Sequence, residues 1–167
     1  MTSTLTQELK SKIETASKLL FDELEDTVQQ VREFKTPSIK DDYDKLHVQL
    51  LFYTETEMEL SYLYRKALQL KNQVDTHLSR ARDILEDAKM VALEDKGFKI
   101  PNTYSSRVET EAKLRSKTFE ETHEVRIWER LINDVQYLVE VIKSYQMDAF
   151  KRRKDIDTRL KIISLQF

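Results

Sequence analysis

Residues 46–92 read LHVQLLFYTETEMELSYLYRKALQLKNQVDTHLSRARDILEDAKMVA. Within them Leu46, Leu50, Tyr53, Glu57, Leu60, Tyr64, Ala67, Lys71, Val74, Leu78, Ala81, Leu85, Ala88 and Ala92 follow one another at alternating steps of four and three. A period of about 3.5 residues places these side chains on one stripe of a helix and winds the stripe left-handedly around a neighbour. Glu57 and Lys71 are its two polar interruptions. Leu63, Leu70, Ile84 and Val91 lie beside it at multiples of seven residues, so the apolar face is broader than a two-stranded seam needs. The helix wants more than one neighbour.

Working outward, the strong chain-breakers are few: Gly97 is the only glycine and Pro37 and Pro101 are the only prolines. Residues of this kind end helices by reaching positive φ or by lacking an N–H, so the chain reads as a few very long helices with a turn at about 97–106. Gly97 suits a left-handed C-cap, with Phe98 positioned to cover Leu93. On the N-terminal side, proline disfavours helical geometry at Thr36, and Ser38 with Asp41 predicts a capping-box-like start for the long helix. Before that break, Leu5, Leu9, Ile13, Ala16, Leu20 and Leu24 recur at helical spacing, widened by Phe21, Val28 and Val31, which predicts a first helix from Thr4 to about Phe34. After the turn, Ser106-Arg-Val-Glu109 predicts the capped start of a third helix. Its first part, to about His123, is strongly polar and has only Val108, Ala112, Leu114 and Phe119 to bury, which predicts marginal helical stability. Trp128, Leu131, Val135, Leu138, Ile142, Tyr145, Ala149, Ile156, Leu160 and Ile163 then restore the coiled-coil face, broken at Arg152.

The fold class expected is all-α: residues 1–36 as an N-terminal amphipathic helix, and residues 37–167 as a long antiparallel, coiled-coil-like helical hairpin. A thin hairpin has little interior of its own, so homo-oligomerisation is expected to bury the rest of its apolar surface. Leu46, Leu50, Leu60, Tyr64, Leu78, Leu85, Trp128, Val135, Ile142 and Ile156 are the residues expected to carry it.

Composition bounds the chemistry. The chain has 28 basic and 30 acidic side chains, so a polyanion partner would have to be met by local patches. The absence of cysteine removes disulfides, thiolate nucleophiles and Cys-ligated zinc. No stretch approaches the roughly 18 apolar residues of a membrane span, and Met1-Thr-Ser-Thr-Leu-Thr-Gln-Glu8 does not read as a signal peptide, so a soluble cytoplasmic protein with no membrane partner is expected. With one glycine there is no phosphate-cradling loop, nucleophile elbow or dinucleotide fingerprint, and neither an enzyme nor a cofactor is expected. Glu120-Glu-Thr-His123 and Asp44-Lys-Leu-His47 have the i, i+3 spacing of di-iron bundles. In a hairpin folded at Gly97 the two do not meet, so no metal site is expected.

Basic clusters are the stronger lead. Arg80 and Arg82 flank Ala81 of the seam, so both sit at the edges of the buried face and are expected to present their guanidinium groups side by side. Lys151, Arg152, Arg153 and Lys154 form a denser run, and residues 143–167 hold seven basic against three acidic side chains. Tyr145, Phe150 and Trp128 interleave aromatic rings with these cations. Cationic grooves with flat side chains suit single-stranded nucleic acid, whose phosphates need charge and whose bases stack. The plainer alternative is that the rings are core and that the basic run is a solvated face or pairs across helices.

The order of elements resembles the UvsY-type recombination mediators of large tailed phages: a basic-x-basic pair in a mid-chain helix (Arg80-Ala-Arg82), a short loop (97–106), a polar segment (109–124), then a long helix with Trp128 near its start, Ile142-Lys-Ser144, and a basic end from Lys151 to Lys161. The resemblance spans about residues 43–163. It implies a helical homo-oligomeric ring in the host cytoplasm that binds single-stranded DNA, loosens the single-strand-binding protein coat and helps a RecA-like recombinase nucleate, with Arg80 and Arg82 as the DNA-contacting pair. The chain departs from the family in its longer N-terminal helix, in Ile84-Leu85 where the family has an aromatic pair, and in its fewer turn glycines. The function expected is therefore a non-enzymatic, single-stranded DNA-binding accessory protein for phage recombination and DNA repair. The alternatives are a structural or adaptor coiled coil whose basic residues meet the acidic stretch Asp22-Glu-Leu-Glu-Asp26 of a neighbour, and an inhibitor of a host enzyme.

Overall fold

The computed structural model describes residues 4–94 and 104–166, which are all-helical, with no strand among them. The helices are α1 (Thr4–Glu33), α2 (Asp42–Glu94), α3 (Tyr104–Lys117) and α4 (Phe119–Leu165). The turn expected at Gly97, with its Phe98 contact, lies outside the described residues.

Two helix boundaries differ from the sequence reading, each for a local reason. α2 starts at Asp42, not at Ser38. The N–H of Ile39 donates to the carbonyl of Pro37 at 2.8 Å, closing a tight turn that cannot also open a helix. Asp41 is the cap instead. Its Oδ1 accepts the N–H of Tyr43 at 2.8 Å, and its carbonyl accepts the first i→i+4 bond, from Lys45 at 3.1 Å. Asp42 and Asp44 then place negative charge at the positive end of the helix dipole. The third expected helix is two helices, α3 and α4, and the first of them already begins at Tyr104. The joint is Thr118, 2% exposed, whose hydroxyl donates to the carbonyl of Leu114 at 2.9 Å. Back-bonding of this kind loosens and bends a helix without ending its hydrogen-bond ladder. The ladder runs on here, from Thr118 N to Leu114 O and from Thr122 N to Thr118 O, both at 3.0 Å.

The chain divides into two compact units, and α1, α2 and α4 each contribute to both. The first comprises Met1–Glu14 and Lys71–Asp134. Its buried residues include Ile13, Val74, Leu78, Ala81, Val125, Trp128 and Leu131. The Trp128 ring stacks on His77 with centroids 4.8 Å apart, and the Thr6 hydroxyl donates to Glu124 at 3.3 Å, joining α1 to α4. The second comprises Thr15–Leu70 and Val135–Phe167. Here Leu20 and Leu24 of α1, Leu60, Leu63, Ala67 and Leu70 of α2, and Val135, Leu138, Val139, Ile142, Ala149, Ile156 and Leu160 of α4 are buried. Ser61 Oγ accepts from Gln146 Nε2 at 2.8 Å, and Tyr53 Oη accepts from Arg152 Nη1 at 3.1 Å, so positions descend along α2 as their partners ascend along α4. Glu23 of α1 meets Lys66 of α2 at 3.7 Å.

Every member of the α2 row that steps by three and four is buried or half-buried. The flanking row behaves differently along its length: Leu63 and Leu70 are buried, whereas Ile84 and Val91 are 57% and 69% exposed. In the second unit α1 occupies that flank, which is where the Glu23–Lys66 pair forms. The wide apolar face is thus served by a third helix of the same chain. Burial of a leucine side chain contributes roughly 2 kcal/mol, so the row outweighs any single polar contact across it.

Leu60→Asp, at a position 2% exposed, is expected to cost about 4 kcal/mol or more by stranding a carboxylate in the core, read as a large drop in the midpoint of denaturant unfolding followed by circular dichroism. Met58→Asp, two residues away and 69% exposed, is expected to stay within about 0.5 kcal/mol of the parent. Asp41→Ala is expected to cost about 1 kcal/mol in the same measurement, through loss of the α2 cap.

Candidate nucleic-acid interface

The structure sorts the basic residues by whether the chain itself neutralises them. In the first unit, Arg80 and Arg82 stand either side of buried Ala81, about 160° apart around the helix axis because successive residues turn by about 100°. They leave α2 on opposite flanks and do not form one side-by-side pair. Arg82 Nη2 reaches Glu129 of α4 at 3.2 Å. Arg80 is exposed and has no partner among the described residues.

In the second unit the run Lys151–Lys154 divides in the same way. Arg153 is half-buried and donates from Nε to Glu57, one of the two polar interruptions of the α2 row, with side-chain exposures of 32% and 23%. That makes it a clamp between α2 and α4. Its guanidinium also lies 5.4 Å from the Phe150 ring centre. Arg152 donates to Tyr53 Oη and sits 5.7 Å over the Tyr53 ring. Lys151 and Lys154 are exposed and unpartnered among the described residues. Further along α4, Arg159 and Lys161 pair with Asp155 at 3.0 Å and Asp157 at 2.8 Å. The basic excess of this segment is therefore reduced to a few uncompensated cations. On α2, the Lys66 ammonium lies 4.3 Å over the Tyr62 ring, and its pKa is raised, chiefly by Tyr62 and also by Glu23.

One cation in this region has no signal in the sequence. Arg32, in the last turn of α1, is exposed and without a partner among the described residues. It lines a cavity of about 180 Å³ together with Arg152, Tyr53, Tyr145 and Asp148. The cavity wall is apolar, formed by Val28, Val31, Leu60 and Ala149, while the hydroxyls of Thr27 and Thr56 are turned to their own helices, bonding Glu23 O at 3.1 Å and Phe52 O at 2.9 Å. Beside it Phe34 stacks on Phe52 at 3.8 Å and meets Tyr53 edge-on at 6.2 Å. Three helices of one unit converge there.

The residues expected to join subunits are packed within a single chain: Leu60, Leu78, Trp128, Val135, Ile142 and Ile156 are buried, and Leu46, Leu50, Tyr64 and Leu85 are half-buried. His47 and His123 each meet an aromatic ring of their own helix, Tyr43 at 4.5 Å and Phe119 at 6.2 Å. No group of three metal-ligating side chains gathers among the described residues, and no helix among them is long and apolar enough to cross a membrane. No protein family, curated protein or solved structure matches this chain.

A double-mutant cycle on Glu57→Gln and Arg153→Gln is expected to return a coupling of about 1 kcal/mol, the upper range for a pair still partly in contact with water. The same cycle on Arg82 and Glu129, both about half-exposed, is expected to return less than about 0.5 kcal/mol and to vanish in high salt.

Proposed function

We propose that this chain is a non-enzymatic accessory protein that binds single-stranded DNA through cations it does not neutralise internally. The observation that carries the reading is the contrast between neighbours: Arg80, Lys151 and Lys154 stand exposed without acidic partners among the described residues while Arg82 and Arg153 are tied down by Glu129 and Glu57. An exposed lysine or arginine without a partner releases counterions when it meets a phosphate and gives up no existing ion pair, which is the source of affinity for a polyanion. Arg152, over the Tyr53 ring, adds the cation and ring combination that single strands stack against.

In this reading α2 and α4 form the long antiparallel, coiled-coil-like hairpin, a geometry supported by the opposed order of the Ser61–Gln146 and Tyr53–Arg152 pairs. Copies of the chain assemble through what the chain leaves uncovered, notably Ile84 and Val91 and the half-buried members of the seam. As the resemblance to UvsY-type mediators implies, the assembly works on DNA in the host cytoplasm, against the single-strand-binding protein and in favour of a RecA-like recombinase. An adaptor coiled coil is the second reading. The use of Arg82 and Arg153 as internal braces favours it, as do Asp22, Glu25 and Asp26 on α1, exposed and without partners among the described residues.

Fluorescence anisotropy of a labelled oligonucleotide across a salt series separates the two. Binding is expected to weaken steeply with salt, and Arg80→Ala is expected to flatten the log–log slope by about 0.7, the equivalent of one single-strand phosphate contact. Lys151→Ala with Lys154→Ala is expected to flatten it by about 1.4. Absence of binding at low ionic strength hands the function to the adaptor reading.

A further inference from the structure

The cavity framed by α1, α2 and α4 is in the same unit as the Lys151–Lys154 run, yet nothing in electrostatic binding of a backbone requires it. We propose that it receives one unstacked pyrimidine base of a bound single strand, with the phosphate next to that base held by Arg32. The inference rests on the single-strand reading above and names what that strand does at this end of α4.

Size, lining and charge each point to this occupant. A cavity of about 150 Å³ with apolar walls takes up benzene, so about 180 Å³ matches a single planar ring. The walls from Val28, Val31 and Leu60 offer the ring no competing hydrogen bonds, and Thr27 and Thr56 have already spent their hydroxyls on backbone carbonyls. Polar groups sit at the rim, where the polar edge of a base and its phosphate would lie. Asp148 is the one anion there and has no partner among the described residues, which leaves its carboxylate to accept from a ring N–H or an exocyclic amine. Arg32 and Arg152 outnumber it, so the rim is net positive and accommodates a phosphate. Arg152 is already engaged with Tyr53, holding that ring in place; Arg32 is the uncommitted cation. An aliphatic occupant would leave Asp148 and Arg32 without a role, and a free inorganic anion would leave the apolar volume empty.

The test compares oligo(dT) with a strand of equal length in which the bases are replaced by abasic sites, at one fixed salt concentration. Oligo(dT) is expected to bind the unaltered protein about tenfold more tightly, the low end of what stacking one base contributes. Val31→Phe, which fills the cavity from α1, is expected to bring oligo(dT) down to the abasic level and to leave the abasic strand unchanged. If that variant does not fold, the exposed Arg32→Gln replaces it and is expected to weaken oligo(dT) more than the abasic strand. Equal binding of the two strands to the unaltered protein overturns base insertion and leaves the electrostatic reading standing. A base preference that both variants leave intact places the bases elsewhere and overturns the cavity assignment. Thymidine monophosphate binding more tightly than the strand makes this a free-nucleotide pocket and overturns the proposed occupant. If neither strand binds at low salt, the single-strand reading fails and this inference fails with it.

Discussion

Burial of one side of α2 is the constraint from which the rest of the structure follows. Fourteen positions stepping by three and four leave that helix with a face that water cannot be allowed to wet, and every one of them is at least half-covered. Hydrophobic burial is non-directional, so it fixes which face turns inward and leaves the finer choices to polar groups. Glu57 meeting Arg153, Ser61 meeting Gln146 and Tyr53 meeting Arg152 make those choices in one unit, and Thr6 with Glu124 and His77 with Trp128 make them in the other. α1 completes the arrangement by taking up the flank that holds Leu63 and Leu70.

The sequence made the helices legible because their causes are local. Periodicity, Pro37 and the scarcity of glycine need no knowledge of tertiary structure, and α1 and most of α2 and α4 fall where those signals place them. The misses are also local, but they depend on backbone turns that residue types do not specify. Ser38 and Asp41 are equally good caps on paper, and only the Ile39–Pro37 hydrogen bond decides between them. Thr118 marks the joint between α3 and α4, yet its back-bond to Leu114 is the same one that Thr54, Thr56 and Thr76 make without breaking α2, so the residue type and its local bond do not announce the joint.

The charged residues show where sequence reading stops. A run such as Lys151–Lys154 announces its charge, but the partner that cancels it is on a different helix: Glu57 is 96 residues from Arg153, and Glu129 is 47 residues from Arg82. What acts on a partner is the charge left over after internal pairing, and that remainder appears only once α2 and α4 are side by side. Arg32 illustrates the converse. An unremarkable arginine near the end of α1 gains meaning because Arg152, Tyr145 and Asp148 face the same small volume.

The Glu57–Arg153 contact also bears on how the chain chooses a single alignment. A seam of leucines and alanines is nearly indifferent to sliding by one heptad, since one aliphatic residue replaces another. A carboxylate in that seam is not indifferent. Shifted by seven residues in one direction, Glu57 would lie opposite Leu160, which is buried among hydrocarbon, and in the other opposite uncharged Gln146. Either slip would leave Glu57 without its counter-ion and would strand Arg153. A modest ion pair thus acts as an index mark, costing the core a leucine and excluding the offset bundles that the remaining residues would tolerate.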